Sequence, residues 1–248
     1  MDKPNLDLAE ITKRAIKTLT GRQLSQDEKS DKLYHMALAV LEKVPDFIRY
    51  DKLLDPNSHN GDVDRNRQKR AKRSLIEFNH ILRDFISDGN IAATPMTNWN
   101  RFKYYLLTKT YGKELISDGA LQRFDKRVHG VRHELAAKRL IESVSGASGK
   151  NGRWQIQYDD ASVAQDRRGI DGKIVATSFK TGYTVSLPVN IKASKKAADR
   201  FDDCLWSGFT EADFGGYLLP PHRLLTDRLR NDMWQRIQAL FLHNGIIL

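Results

Sequence analysis

The chain has 248 residues, of which 41 are Lys or Arg and 31 are Asp or Glu, so its formal net charge is +10. The single cysteine, Cys204, excludes an intramolecular disulfide and a zinc site built from several cysteines, and it favours a reducing compartment. The sequence contains neither an apolar signal segment at its N-terminus nor a run of about 18 apolar residues that could cross a membrane. We therefore expect an intracellular, cytoplasmic globular protein without membrane association, whose basic surplus favours an anionic partner such as nucleic acid.

The first half of the chain is predicted to be helical. Apolar residues at helical spacing indicate a helix over 6–20 that ends at Gly21. Ser25 and Glu28 have the spacing of a capping box, and the apolar pattern behind them predicts a helix that stops at Pro45. Further helices are expected over 98–111 and 120–144.

The most basic stretch of the sequence follows a loop rich in Asp, Asn and Gly at 55–61. Six of the nine residues from 65 to 73 are Arg or Lys, and the same segment carries an apolar stripe that predicts a helix ending at Gly89. Its basic residues either lie along nucleic-acid phosphates or form a solvated helix face. They are Arg65, Arg67, Lys69, Arg70, Lys72 and Arg73.

The second half changes to strand periodicity. The glycine-rich segment 146–152 precedes a strand rather than a helix, so we interpret it as a connection and not as a phosphate loop. Alternation predicts strands over 154–158, 170–177 and 183–193, with a turn at 180–182. Helical composition is then expected to continue through Phe201 and Trp206, followed by a short strand near Tyr217 and a last helix.

Three residues of this half form a candidate catalytic centre. A hairpin places the end of one strand beside the start of its partner, so Asp171 and Lys192 are expected to approach each other, and the preceding helix can supply Glu134. Carboxylates hold hard divalent cations, and a bound cation lowers the pKa of its water. A lysine can orient that water and offset charge in the transition state.

These residues resemble the pattern of the PD-(D/E)XK nuclease superfamily. The segment from Asp166 to Asp171 matches a D-x-x-G-x-D motif, and the segment from Val189 to Ser194 matches V-x-x-K-x-S; the resemblance covers about residues 120–210. It implies an α+β fold with an α/β core of the restriction-endonuclease-like type. A helical region at 1–118, for substrate or partner binding, would precede a nuclease-like core at 119–248 in which helices flank a mixed sheet.

The resemblance also implies a set of site residues and a cofactor. Glu134, Asp171, Asn190 and Lys192 would be catalytic, and Mg²⁺ or Mn²⁺ would be held by Glu134, Asp171, Asn190 and Asp166. The family usually has Asp or Glu where this chain has Asn190, whose amide oxygen can ligate a metal but brings no charge. Asp166 would restore that charge if it faces the same metal. Glu142 competes with Glu134 for the helix position, but the family's acid usually lies well before the end of its helix.

Two other groups of residues have alternative interpretations. His129 and His133 stand four apart and could bind zinc, but Glu134 follows both histidines instead of lying between them, and the sequence shows no third ligand. One of these histidines could instead contact a phosphate. Lys195, Lys196 and Arg200 lie near a predicted helix start, where they either contact a nucleic-acid backbone or form a solvated helix end.

Together these features predict a metal-dependent nuclease that hydrolyses phosphodiester bonds, with DNA favoured over RNA. The alternative is a catalytically inactive nuclease-like module that binds nucleic acid or protein, which the amide at Asn190 would favour. A third hypothesis is a helical DNA-binding protein with an unrelated β-hairpin domain. In each case the N-terminal helices are a candidate surface for a homodimer or a protein partner.

Overall fold

In a computed structural model, the described residues are 8–21, 32–53, 65–111, 118–166, 170–200 and 203–248. The chain divides into two compact units. The first, here called the helical unit, comprises Met1–Val128 and Gly216–Leu219, and the second, the sheet unit, comprises His129–Gly215 and Pro220–Leu248. The predicted capping box at Ser25 and the loop at 55–61 lie outside the described residues.

The helical unit is built from amphipathic helices around an aromatic core. Phe47 stacks on Phe78 with ring centroids 4.7 Å apart, and Trp99 packs against Phe102 at 5.3 Å. The helices are α1 (Leu8–Thr20), α2 (Lys32–Leu53), α3 (Arg65–Ser87), α4 (Gly89–Ala92), α5 (Met96–Tyr111) and the first part of α6 (Asp118–Ser143). The predicted apolar stripes are buried, as Ile11, Ala15 and Leu19 illustrate for α1.

The predicted end of the second helix at Pro45 is wrong. Helix α2 continues through Pro45 to Leu53. An interior proline removes one backbone hydrogen bond and costs about 3 kcal/mol or more. The apolar face continues across it, because Val44 and Phe47 are both fully buried, and Phe47 also packs edge-on against Phe124. This packing offsets the cost of the proline.

The sheet unit contains a five-stranded mixed sheet in the order β1-β2-β3-β4-β5. Adjacent strands are antiparallel except β4 and β5, which are parallel. The strands are β1 (Ser148–Gly149), β2 (Gly152–Asp160), β3 (Gly172–Ser178), β4 (Thr184–Lys192) and β5 (Cys204–Trp206). The unit also contains α7 (Val163–Asp166), α8 (Lys195–Ala198), two 3-10 turns (Glu211–Phe214 and His222–Leu224) and α9 (Asp227–His243).

One face of this sheet forms the core of the unit. Along β2, Trp154, Ile156 and Tyr158 are buried while the residues between them are exposed, as expected for a half-buried strand. These side chains share one apolar cluster with residues of two helices. The helical members are Ala136, Ala137, Leu140 and Ile141 of α6 and Leu229, Met233, Ile237, Leu240 and Phe241 of α9.

Two expectations for the segment after Ser194 are corrected. The predicted helix through Trp206 is replaced by the one-turn helix α8 and by β5, whose parallel pairing with β4 joins Asn190 to Cys204 and Lys192 to Trp206. Tyr217 does not start a strand of the sheet but forms an isolated bridge with Pro95 in the helical unit. A three-residue strand has too short a pattern to identify it, and its pairing with β4 is what stabilises it.

The α+β fold class is confirmed: a helical N-terminal region precedes a mixed sheet with flanking helices. The predicted strands over 154–158, 170–177 and 183–193 correspond to β2, β3 and β4. Among the described helices, none is both long enough and apolar enough to cross a membrane.

Candidate active site at the ends of β3 and β4

Asp171 lies immediately before β3, and its backbone is hydrogen-bonded to residues on both neighbouring segments. Its N–H donates to the carbonyl of Val189 at 3.1 Å, and its carbonyl accepts from the N–H of Ala161 at 3.1 Å. Its carboxylate Oδ2 also accepts from the N–H of Ile191 at 2.6 Å. The Asp171 side chain is therefore held in one position between β2 and β4, rather than on a free loop.

Gly172 allows the chain to pass close to β2 at this point. A Cβ at Gly172 would lie 2.4 Å from the Tyr158 ring and 2.7 Å from the carbonyl of Asp159. A side chain could be added here only if the main chain at Asp159 moved, so the position requires glycine. The glycine thus lets β3 start directly beside Asp171.

Lys192, the last residue of β4, lies beside Asp171. Its Nζ is 4.0 Å from Asp171 Oδ2, with side chains that are 36% and 19% exposed respectively. The carbonyl of Lys192 accepts from the N–H of Ser207 at 2.9 Å, which fixes the strand end against the chain leaving β5. The structure therefore brings together an acid and a lysine that stand 21 positions apart, as the hairpin argument predicts.

Asn190 lies two residues earlier on β4 and is held by Asp203. Its backbone N–H donates to the Asp203 carbonyl at 2.9 Å, and its Nδ2 donates to Asp203 Oδ2 at 2.9 Å. A carboxylate only accepts hydrogen bonds at neutral pH, so the NH₂ group must face Asp203, and the Oδ1 of the amide is turned away from it. The amide thus keeps an oxygen for another partner while Asp203 supplies a negative charge beside it.

Cys204 adjoins the same group at the start of β5. Burial raises the pKa of its thiol, Lys192 opposes this rise, and Asp203 and Asp171 add to it. The Cys204 Sγ lies 3.8 Å from Asp203 Oδ1. The thiol is thus uncharged at neutral pH and within electrostatic range of both acids. We call Asp171, Asn190, Lys192, Asp203 and Cys204 the Asp171–Lys192 site.

The remaining expected ligands lie on other elements. Glu134 is half-buried on α6, Glu142 is exposed near the end of that helix, and Asp166 is half-buried on α7. The carboxylates of Glu134, Asp166 and Asp171 do not form a group of three whose ligand atoms lie within 4.8 Å of one another; among the described residues, only His129, His133 and Glu211 do so. The metal-binding role of the predicted carboxylates stays a prediction.

The basic residues predicted to bind nucleic acid are on the surface. All six basic residues of 65–73 are exposed at the start of α3, where Arg73 pairs with Glu77 at 2.9 Å. Lys195, Lys196 and Arg200 are also exposed, and Lys195 pairs with Asp199 at 2.7 Å. The hydroxyl of Ser194 caps α8 by accepting from the N–H of Ala197. That cap occupies one of the amides expected to attract an anion.

Asp203 and Cys204 are the two residues of this site that sequence reasoning did not assign to it. The signal available was the acidic pair at 202–203 directly before a short apolar run. Its relevance depends on the parallel pairing of β5 with β4, which puts Cys204 opposite Asn190. Comparisons of the chain with protein-family models, curated proteins and solved structures found no match.

Proposed function

We propose that the chain is a metal-dependent nuclease acting at the Asp171–Lys192 site, with DNA as the favoured substrate. The observation that carries the proposal is the 4.0 Å approach of Lys192 Nζ to Asp171 Oδ2 at the adjoining ends of two antiparallel strands. An exposed ion pair alone contributes only about 0–1 kcal/mol to stability. Here, by contrast, three backbone hydrogen bonds hold the acid in place, which is the preorganisation that a reacting group needs.

The donor atoms of the site suit Mg²⁺ or Mn²⁺. Both ions prefer oxygen ligands, and Asp171 offers a carboxylate while Asn190 keeps its amide oxygen turned away from Asp203. Asp203 adds negative charge within hydrogen-bond distance of that amide, which compensates in part for the missing carboxylate at position 190. Bound there, the cation would polarise the scissile phosphate and lower the pKa of a coordinated water.

The protein's own residues would act on the substrate as follows. Lys192, at 36% side-chain exposure, can reach a phosphate and offset the negative charge that develops on it in the transition state. Its ammonium can also orient the attacking water. The backbone N–H of Ile191 fixes the Asp171 carboxylate, which would bind the cation. Exposed basic residues at the start of α3 and around α8 provide surfaces for the phosphate backbone.

Cleavage of plasmid DNA, linear DNA and RNA, each with Mg²⁺, Mn²⁺ or EDTA, tests this proposal. We expect Lys192→Ala to reduce the cleavage rate at least about 100-fold while nucleic-acid affinity changes little, because lysine acts mainly on the transition state. Asp171→Asn should remove cleavage as well as divalent-ion binding. Metal-dependent cleavage that survives both substitutions would refute the site.

A second ion pair on the same sheet provides the matched control. Lys173 of β3 pairs with Asp159 of β2 at 3.2 Å, and both side chains are about half exposed. Lys173→Ala removes the same charge from a neighbouring strand, so cleavage should remain at the wild-type rate. Equal losses in the Lys173 and Lys192 variants would indicate a general effect of charge on binding.

The second candidate function is a nuclease-like module that binds nucleic acid or protein without cleaving. What favours it is the amide at Asn190, whose NH₂ is committed to Asp203, together with the absence of a three-carboxylate group among Glu134, Asp166 and Asp171. Salt-dependent binding of DNA or RNA with no cleavage in Mn²⁺ would support this module over the nuclease.

A further inference from the structure

A second group of metal-ligating side chains lies elsewhere in the sheet unit, on α6 and on the 3-10 turn Glu211–Phe214. The ligand atoms of His129, His133 and Glu211 all lie within 4.8 Å of one another. The two histidines stand one helical turn apart with ring centroids separated by 4.3 Å, because positions i and i+4 share a helix face. Glu211 supplies the third ligand that the sequence does not reveal.

One separation in this group equals that of two zinc ligands. His129 Nδ1 lies 3.2 Å from Glu211 Oε1. With bonds of about 2.0–2.1 Å in a tetrahedral arrangement, two zinc ligands lie about 3.3 Å apart. Two imidazoles and a carboxylate are also the donors that zinc accepts in sites with an open fourth position, whereas Mg²⁺ prefers oxygen ligands throughout.

His133 provides the independent evidence for a cation. The residue is 2% exposed, and its Nδ1 lies 2.8 Å from Ser207 Oγ. Its Nε2 is buried and has no hydrogen-bond partner within the described parts of the chain. A water or a cation would satisfy this buried nitrogen. A histidine bound to metal through one ring nitrogen typically donates the other N–H to a neighbouring oxygen, which is the role that Ser207 can fill.

Arg132 holds the carboxylate of this group in place. Its Nη1 lies 3.3 Å from Glu211 Oε2, and its guanidinium stacks on the Phe214 ring at 4.2 Å. The same Nη1 also donates to Oε1 at 3.5 Å, and Oε1 lies 3.2 Å from His129 Nδ1. The contacts with Arg132 and His129 explain the position of Glu211, but they leave the buried Nε2 of His133 without a role.

We propose that His129, His133 and Glu211 form a Zn²⁺ site with three protein ligands. In this site His133 binds through Nε2 and donates from Nδ1 to Ser207, and Arg132 keeps Glu211 oriented. A water completes the fourth position. The bound ion joins α6 to the segment Ser207–Phe214, which follows β5. The site uses none of the residues of the Asp171–Lys192 site and does not depend on the proposed nuclease activity.

Calorimetric titration of the full chain with Zn²⁺, supported by the visible absorption of bound Co²⁺, tests this proposal. We expect one tetrahedral ion for each chain. Glu211→Gln, at a side chain that is 61% exposed, should weaken Zn²⁺ binding at least about tenfold without unfolding the protein. His129→Gln should weaken it similarly, and Ser207→Ala should cost about tenfold through the lost support of His133.

Two control variants separate this site from other places where zinc could bind. His222→Ala removes an exposed imidazole from the 3-10 turn His222–Leu224 and should leave the affinity unchanged. Asp171→Asn should also leave it unchanged, because that residue belongs to the other site. Absence of Zn²⁺ binding, wild-type affinity in Glu211→Gln, or loss of binding in Asp171→Asn would each overturn the proposal.

Discussion

Asn190 determines the electrostatics of the Asp171–Lys192 site. Its side chain donates to Asp203 across 2.9 Å, so a neutral donor occupies the position where the PD-(D/E)XK nucleases usually carry a second acid. A carboxylate at position 190 would face another carboxylate at that distance. Two carboxylates that close cannot both ionise without a cation between them. The neutral amide therefore avoids this repulsion and forms a hydrogen bond with Asp203 instead.

Asn190→Asp should destabilise the protein in EDTA and make its stability depend on divalent ions. We expect the free energy of unfolding in EDTA to fall by about 1–2 kcal/mol, because a hydrogen bond to a charged acceptor is replaced by repulsion. Mn²⁺ should recover at least that amount by bridging the two acids. Urea denaturation with EDTA and with Mn²⁺ measures both effects.

The exchange of both residues provides the control for this prediction. Asn190→Asp combined with Asp203→Asn restores the hydrogen bond with donor and acceptor reversed, and it keeps the net charge of the wild type. Stability in EDTA should return to within about 0.5 kcal/mol of the wild type. Wild-type stability of the single Asn190→Asp variant in EDTA would show that the contact with Asp203 contributes nothing.

Helix α3 combines two different surfaces along its length. Its first nine residues carry six exposed basic side chains and no acidic residue in the first turn, while the rest buries an apolar stripe that includes Leu75, Phe78 and Leu82. Positive charge at a helix N-terminus opposes the helix dipole. The charged turns therefore contribute little to helix stability. Their positive charge would be favourable in contact with an anionic ligand.

Replacing four of these basic residues should lower the affinity for nucleic acid and make that affinity less sensitive to salt concentration. Each phosphate contact that is lost should reduce the slope of log K against log salt by about one, up to about four. Fluorescence anisotropy with DNA at several salt concentrations gives the slope. The residues to be replaced by Gln are Arg65, Arg67, Lys69 and Arg70.

A control with the same change in net charge tests whether position matters. Four exposed lysines on separate parts of the chain can be replaced by Gln, and affinity and slope should change far less than in the α3 variant. If the two variants behave alike, the run on α3 acts only through total charge. The control residues are Lys17, Lys32, Lys126 and Lys150.

At the level of elements, the sequence predicts a helix or strand correctly where the periodicity of its apolar residues determines the secondary structure. The stripe of α1 and the alternation of β2 both reflect burial on one face, which local sequence records directly. The sequence did not predict elements whose secondary structure depends on packing against distant residues. Phe47 keeps α2 helical past Pro45, and pairing with β4 creates β5. The approach of Asp171 to Lys192 followed from the hairpin, whereas Asp203 and Glu211 enter their sites through contacts between distant segments.

At the scale of the whole molecule, the helical unit is not one continuous stretch of sequence. Gly216–Leu219 returns to it after most of the sheet unit. The N–H of Met96 donates to the Gly216 carbonyl at 2.7 Å, and the N–H of Leu218 donates to the Thr94 carbonyl at 2.9 Å. Leu218 and Leu219 are both buried. The segment Gly216–Leu219 thus supplies the helical unit with backbone hydrogen bonds and with two core side chains.

Leu218→Ala should therefore destabilise the protein by about 2–5 kcal/mol, as removal of a fully buried leucine side chain leaves a cavity. Chemical denaturation followed by tryptophan fluorescence measures the loss. Leu242→Ala is the matched control, because that side chain is 62% exposed on α9, and the change should stay within about 0.5 kcal/mol. Equal effects of the two substitutions would show that the returning segment contributes no packing.

The return of Gly216–Leu219 also sets an order of events during synthesis on the ribosome. Chains emerge from the N-terminus, so helices α1 to α5 are made first and can pack early. Their partner segment emerges only after His129–Gly215 has been translated. Until then, the backbone groups of Ala92, Thr94 and Met96 that bond to it must remain hydrated. The helical unit consequently acquires these hydrogen bonds only after all five strands of the sheet have been synthesised.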